Sequence, residues 1–155
     1  MPKRVTHERA ECPVARAVDV IGDRWSLLIV RDAFDGISRF SEFQRNLGLA
    51  KNILSSRLRE LVAHDILEVL PAADGSAYHE YALTQRGRDL FALLVSLRQW
   101  GEGHLFDDAE PHSVLLDVKN QRPVRKLEVI DAAGHVLDPS EAFVRKVDRP
   151  GLKGI

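Results

Sequence analysis

Val14, Ala17, Val18 and Ile21 stand at i, i+3, i+4 and i+7, the spacing of one stripe along an α-helix. Cys12-Pro13 opens this stretch, with proline suited to a helix's first turn, and Gly22 ends it. Asp23 is placed to cap a second helix, in which Trp25, Leu27, Leu28, Ile29, Val30, Ala33 and Phe34 leave little polar face. A helix apolar nearly all round belongs at the centre of a fold. Asp35-Gly36 closes it. Ser41 then predicts the cap of a short helix, Glu42 to Asn46, with Phe43 and Leu47 turned inward, and Gly48 makes a turn. A longer helix is predicted from about Ala50 to His64. On it Leu54, Leu58, Leu61 and Val62 share one sector, while Asn52, Ser55, Ser56 and Arg59 point the opposite way.

Ile66 to Leu70 predicts a short strand, Pro71 to Ser76 a turn-rich tip, and Tyr78 to Leu83 the returning strand of a β-hairpin. Thr84 is placed to cap one long helix, Gln85 to about Phe106, with Leu90, Leu93, Leu94, Leu97 and Trp100 as its stripe. Asp107-Asp108-Ala109-Glu110-Pro111 breaks the pattern and marks a boundary between residues 1–106 and a small β-rich extension, 107–155. Within the extension, Val114–Val118 and Leu127–Ile130 are β-prone, Asp131–Gly134 makes a turn before Val136-Leu137, and a further segment runs from Phe143 to Val147. It is too thin in apolar residues to fold alone, so it must lean on the helical part or on a second chain. The fold class is α+β, mainly helical.

Composition narrows the class. With 45% hydrophobic and 29% charged residues, the chain can bury a core and is not a disordered one. Its longest apolar run, Leu90 to Val95, is far short of a membrane span, and Met1 to Glu11 shows no secretory pattern, so a cytoplasmic protein with no membrane partner is expected. A net charge of −1 argues against coating nucleic acid by bulk charge. The distribution says more: Arg39, Arg45, Lys51, Arg57 and Arg59 face only Glu42 between residues 39 and 59, a local net of +4.

Short helix, tight turn, long helix and hairpin, in that order, make a helix-turn-helix followed by a wing. Such a unit sends its second helix into the DNA major groove. Lys51, Asn52, Ser55, Ser56 and Arg59 suit that position: asparagine can pair with adenine, serine with base or phosphate, and arginine or lysine with guanine or phosphate. Read from the helical wheel alone, a bundle whose polar face merely meets water remains equally open.

The residues from Cys12 to Phe106, about three fifths of the chain, resemble the HxlR-type winged-helix regulators, relatives of the MarR group. The matching stretches are Cys-Pro-Val at 12–14, Asp19-Val-Ile-Gly-Asp-Arg-Trp25 and Arg39-Phe-Ser-Glu-Phe43. They continue with Leu54-Ser-Ser-Arg-Leu-Arg-Glu-Leu61, then His79-Glu-Tyr-Ala-Leu-Thr84 leading to Gly87-Arg88. Their order and spacing together are specific. The resemblance implies a cytoplasmic homodimeric transcription factor acting on double-stranded DNA at a (pseudo)palindromic operator, and responding to a redox or small-molecule signal. It implies a dimer built by the first and last helices, which matches the stripes of Val14, Val18, Ile21, Leu90, Leu94, Leu97 and Trp100. DNA-contact residues are then expected at Arg39, Ser41, Arg45, Lys51, Asn52, Ser55, Ser56, Arg57 and Arg59. Arg57 lies nearer the core edge of the wheel, where an internal pair is the other reading. An alternative use of the same fold is protein association, the basic face meeting an acidic partner.

The chain also departs from the resembled pattern. Ala50 stands where many members have a Ser-like cap, and the wing has no Arg or Lys from Leu70 to Gln85 but carries Asp74. The extension resembles a zinc-ribbon-like unit with cysteine pairs, yet Ile130 and Ala133 occupy one pair's places. With one cysteine in the chain, a metal-free relic is expected. That cysteine, Cys12, has two readings. At a helix N-terminus a thiolate is favoured by the helix's partial positive charge, and members of the resembled family sense oxidants through such a residue. Equally, a lone thiol is often an inert packing group. The six histidines show no HxxxH or HExxH spacing, and no nucleotide-binding or nucleophile motif is present, so no metal, no cofactor and no enzymatic activity are expected.

Overall fold

The computed structural model describes residues 6–147. Its first amphipathic stretch forms α1 (Pro13–Ile21), with Cys12 as an extended N-cap. Asp23 caps α2 (Arg24–Phe34) as expected: its Oδ1 accepts from the backbone N–H of Trp25 and of Ser26, each at 3.0 Å. Ile29 and Val30 of α2 are fully buried, and the helix packs against the next two helices and the hairpin. Asp32, also buried, accepts from Arg31 Nη2 and from Asn46 Nδ2, both at 2.7 Å, which ties α2 to the helix that follows.

That helix, α3 (Phe40–Leu47), starts before the expected position, and Ser41 is not its cap. Arg39 holds the extended N-cap position, and Glu42 reaches back so that Oε2 accepts from the N–H of Arg39 at 3.1 Å and of Ser38 at 3.4 Å. This carboxylate satisfies the orphan donors, so Ser41 is left facing solvent. Gly48 ends α3 at φ +65°, a left-handed conformation that glycine adopts without steric cost. After it comes α4 (Lys51–Ala63), whose N-cap Ala50 supplies no side-chain hydrogen bond. Leu54, Leu58 and Leu61 are buried on its inner side.

Strands β1 (Leu67–Pro71) and β2 (His79–Leu83) pair antiparallel, from Leu67 opposite Leu83 to Pro71 opposite His79. The Tyr81 N–H donates to the Ser38 carbonyl at 2.8 Å, binding the hairpin to the segment before α3. The single helix expected from Gln85 to Phe106 is two: α5 (Gln85–Arg88) and α6 (Phe91–His104). Thr84 caps only the first, its Oγ1 accepting from the Gly87 N–H at 3.0 Å. Gly87 packs so tightly on the strand entrance that a Cβ there would lie 2.2 Å from the Ile66 carbonyl oxygen. The Leu90 N–H then bonds back to the Gly87 carbonyl at 3.1 Å, a three-residue step that turns the chain before α6 begins.

Two compact units result, one ending at Leu94 and the other beginning at Val95, within α6. In the first, Ile21, Ile29, Val30, Phe43, Leu54, Leu58, Leu61, Ile66 and Leu67 form one core. In the second, side chains of α6 hold the extension. Gln99 Nε2 donates to the Arg125 carbonyl at 2.9 Å and its Oε1 accepts from the Leu127 N–H at 2.8 Å, while Arg98 Nη1 donates to the Ser113 carbonyl at 2.9 Å. Instead of the expected strands, the extension has isolated bridges, Leu116 with Pro123 and Ile130 with Val136, and a short 3-10 helix, Pro139–Glu141. Asp117, Asp131 and Asp138 each accept backbone N–H groups of their own turns, which takes those donors away from a ladder. No group of three metal-ligating side chains occurs among the described residues. The outermost parts of both expected segments, residues 1–5 and 148–155, lie outside the described residues.

Candidate nucleic-acid interface

Three features hold α3 and α4 in register. Phe43 and Leu49 are buried, and Gln44 Nε2 donates to the Leu49 carbonyl at 3.3 Å across the turn. The leucines of α4 fix its inner side, and the opposite side is thereby left to solvent. There Lys51, Asn52 and Arg59 are exposed and Ser55 and Ser56 are half-buried. Arg45 is exposed on α3. None of Arg45, Lys51 and Arg59 forms an ion pair with another described residue. Three cations and three small neutral polar groups therefore occupy the outer surfaces of adjoining helices.

Two of the expected DNA-contact residues are placed differently. Arg57 turns inward, its Nη1 2.6 Å from Glu60 Oε2 and 3.8 Å from Asp23 Oδ2. Burial pushes the Asp23 carboxyl up, but hydrogen bonds from Ser26 and Trp25 together with the Arg57 charge hold it below its ordinary value. Arg39 is taken by the wing, its Nη2 2.5 Å from Asp74 Oδ2 and 3.3 Å from Glu80 Oε1. Both arginines belong to the basic stretch between residues 39 and 59, and their carboxylate partners lie outside it.

One residue was missed. Ile53 is 40% exposed in the first turn of α4, an apolar group that can meet a thymine methyl. The wheel already placed it away from the leucine sector, so its exposure was readable.

The expected dimer residues divide. Val14 and Val18 on α1, and Leu97 and Trp100 on α6, are exposed, Val14 to 69%. Ile21 is instead buried in the core of its own unit, and Leu90 and Leu94 pack against that core. Cys12 is exposed. Beside α1, a cavity of about 590 Å³ is lined by Arg16, Val20, His64, Ile66, Arg86 and Leu90, among others.

Residues 20–109, more than half of the chain, match the model of the HxlR-like helix-turn-helix family. An uncharacterized HTH-type transcriptional regulator of Mycobacterium tuberculosis is 49% identical over 92 residues, which cover 59% of this chain and 58% of that protein. The match thus spans less than two thirds of the relative's length. Among solved structures, PA1607, a candidate transcription factor, superposes with a TM-score of 0.87 at 50% identity, over 92% of this chain and all of that one. The redox regulator HypR in its oxidized form superposes with a TM-score of 0.55 at 34% identity, over 60% of this chain and 97% of that one.

Proposed function

This chain belongs to the HxlR-like helix-turn-helix family of transcription regulators, which are not enzymes, and we propose that it reads a specific sequence in double-stranded DNA as a homodimer. The observation that carries this reading is the outer side of α4, where Lys51, Asn52 and Arg59 stand exposed, the two cations without an ion-pair partner among the described residues, while Leu54, Leu58 and Leu61 anchor the helix from behind. A helix presented in this way fits the major groove, and two copies related by a two-fold axis suit a (pseudo)palindromic operator. Exposed Val14 and Val18 on α1 and Leu97 and Trp100 on α6 supply apolar surface for the second copy. No helix among the described residues is long and apolar enough to cross a membrane, and the protein acts in the cytoplasm, where its operator lies.

The test is a mobility-shift titration on its own upstream DNA at several salt concentrations, with sedimentation of the free protein. Arg45, Lys51 and Arg59, counted in both copies, should release about six counterions, so affinity should fall steeply with salt. A stable monomer at micromolar concentration, or a complex insensitive to salt, would overturn this reading.

The signal is read in one of two places. Cys12 is the chain's one cysteine and is exposed, and HypR, a structural neighbour, is named a redox regulator. In the redox reading two Cys12 thiols, one from each copy, form a disulfide and give two electrons and two protons to a peroxide, whose O–O bond breaks to leave two waters, or one alcohol and one water from an alkyl hydroperoxide. After mild peroxide treatment a Cys12→Ser protein should then keep its DNA binding while the parent loses it. Equal responses would retire the redox reading and leave the cavity beside α1 as the place for a small-molecule effector.

A further inference from the structure

The wing is acidic where it meets the helix-turn-helix. No lysine or arginine occurs from Leu70 to Gln85, whereas Asp74 sits at the tip and Glu80 on β2. Both carboxylates converge on the guanidinium of Arg39. Its Nη2 lies 2.5 Å from Asp74 Oδ2, and its Nε and Nη2 each donate to Glu80 Oε1 at 3.3 Å. The Ser76 N–H donates to Asp74 Oδ1 at 3.0 Å, which fixes the tip carboxylate where Arg39 reaches it. The hydrogen bond from Arg39, and after it those from Ser76, hold the Asp74 carboxyl well below the usual carboxylate range. Arg39 keeps a third of its side-chain surface in solvent, beside a cavity of about 390 Å³ that Ser41, Tyr78 and His79 also line.

We propose that Asp74, with Glu80 beside it, holds Arg39 away from DNA phosphate, so that the wing's carboxylates set the strength of DNA binding. This inference rests on the DNA-binding reading above. A carboxylate and a phosphate compete for the same forked donors of an arginine. The fold presents the carboxylates at contact distance, so a phosphate has to displace them, and while they hold, Arg39 releases no counterion. Neutralising both frees the guanidinium at the start of α3, next to exposed Ser41, to donate to the DNA backbone.

Anisotropy titrations of a fluorescein-labelled duplex of mixed sequence over a range of salt concentrations test this with the full chain. The variants are D74N/E80Q and R39Q/D74N/E80Q; asparagine at 74 still accepts from Ser76. D74N/E80Q should bind about tenfold more tightly at low salt, with the salt slope steeper by nearly one counterion per chain, and the added R39Q should remove that gain. A gain that survives R39Q would show that the acids merely repel DNA, which overturns the proposal. Unchanged affinity and slope in D74N/E80Q, with an unchanged melting temperature, would overturn it too. If D74N/E80Q fails to fold, D74N alone should shift affinity and slope in the same direction by less, because Glu80 still grips Arg39; no shift overturns the proposal. A parent protein that binds no DNA at any salt would instead bring down the DNA-binding reading, and this inference with it.

Discussion

Replacing Phe43 by alanine is expected to lower the unfolding free energy by about 3–5 kcal/mol. Phe43 is 0% exposed and is the main inward side chain of α3, and its ring meets that of Tyr81 edge-on with centroids 6.4 Å apart. Removing it empties space among α2, α4 and the hairpin and also loses the ring contact, worth about 0.5–1.5 kcal/mol beyond its buried area. A small domain has only about 5–15 kcal/mol to lose, so much of the population should unfold under mild denaturant. Urea titration followed by circular dichroism measures the change, and Phe43→Leu, which keeps more of the volume, should cost less. A loss below about 1 kcal/mol for the alanine variant would mean that α3 is not seated through this ring.

The sequence made the helices of the first unit legible because each advertises itself locally. Asp23 caps α2 and the Leu54, Leu58 and Leu61 stripe faces inward, as the spacing required. Much of what went unread depended on residues distant along the chain. Periodicity carried one helix from Gln85 to Phe106, but Gly87 meets the Ile66 carbonyl, a contact that no local pattern encodes. Ser41 had the chemistry of a cap, yet α3 starts earlier, with Arg39 as its N-cap and Glu42 reaching back to the N–H groups of Ser38 and Arg39. The basic stretch was real, but Asp74 and Glu80 sit more than thirty residues beyond Arg39, and Arg57 pairs with Glu60 just past the stretch and with Asp23, more than thirty residues before Arg57. An apolar stripe likewise shows a face and not what covers it, so Ile21 lies in its own core while Val14, on the same stripe, meets solvent.

Asn52 and Arg45 should separate base reading from phosphate contact. Asn52 is exposed in the first turn of α4, where a short amide reaches base edges and can pair bidentately with adenine. Asn52→Ala is therefore expected to cost about 1–3 kcal/mol at the operator, and much less on mixed-sequence DNA. Both copies of a dimer carry the change, so the loss is felt in each half-site, and half-site centres should lie about 34–36 Å apart or a multiple of a helical turn. Arg45 lies on α3, outside the groove-facing helix, and its charge has no ion-pair partner among the described residues, so Arg45→Ala should weaken operator and mixed-sequence DNA alike and flatten the salt slope. Footprinting first defines the operator, and parallel anisotropy titrations on the two duplexes then read both effects. An Asn52→Ala protein with its site preference intact would mean that the exposed side of α4 carrying Asn52 is not the face that enters the groove.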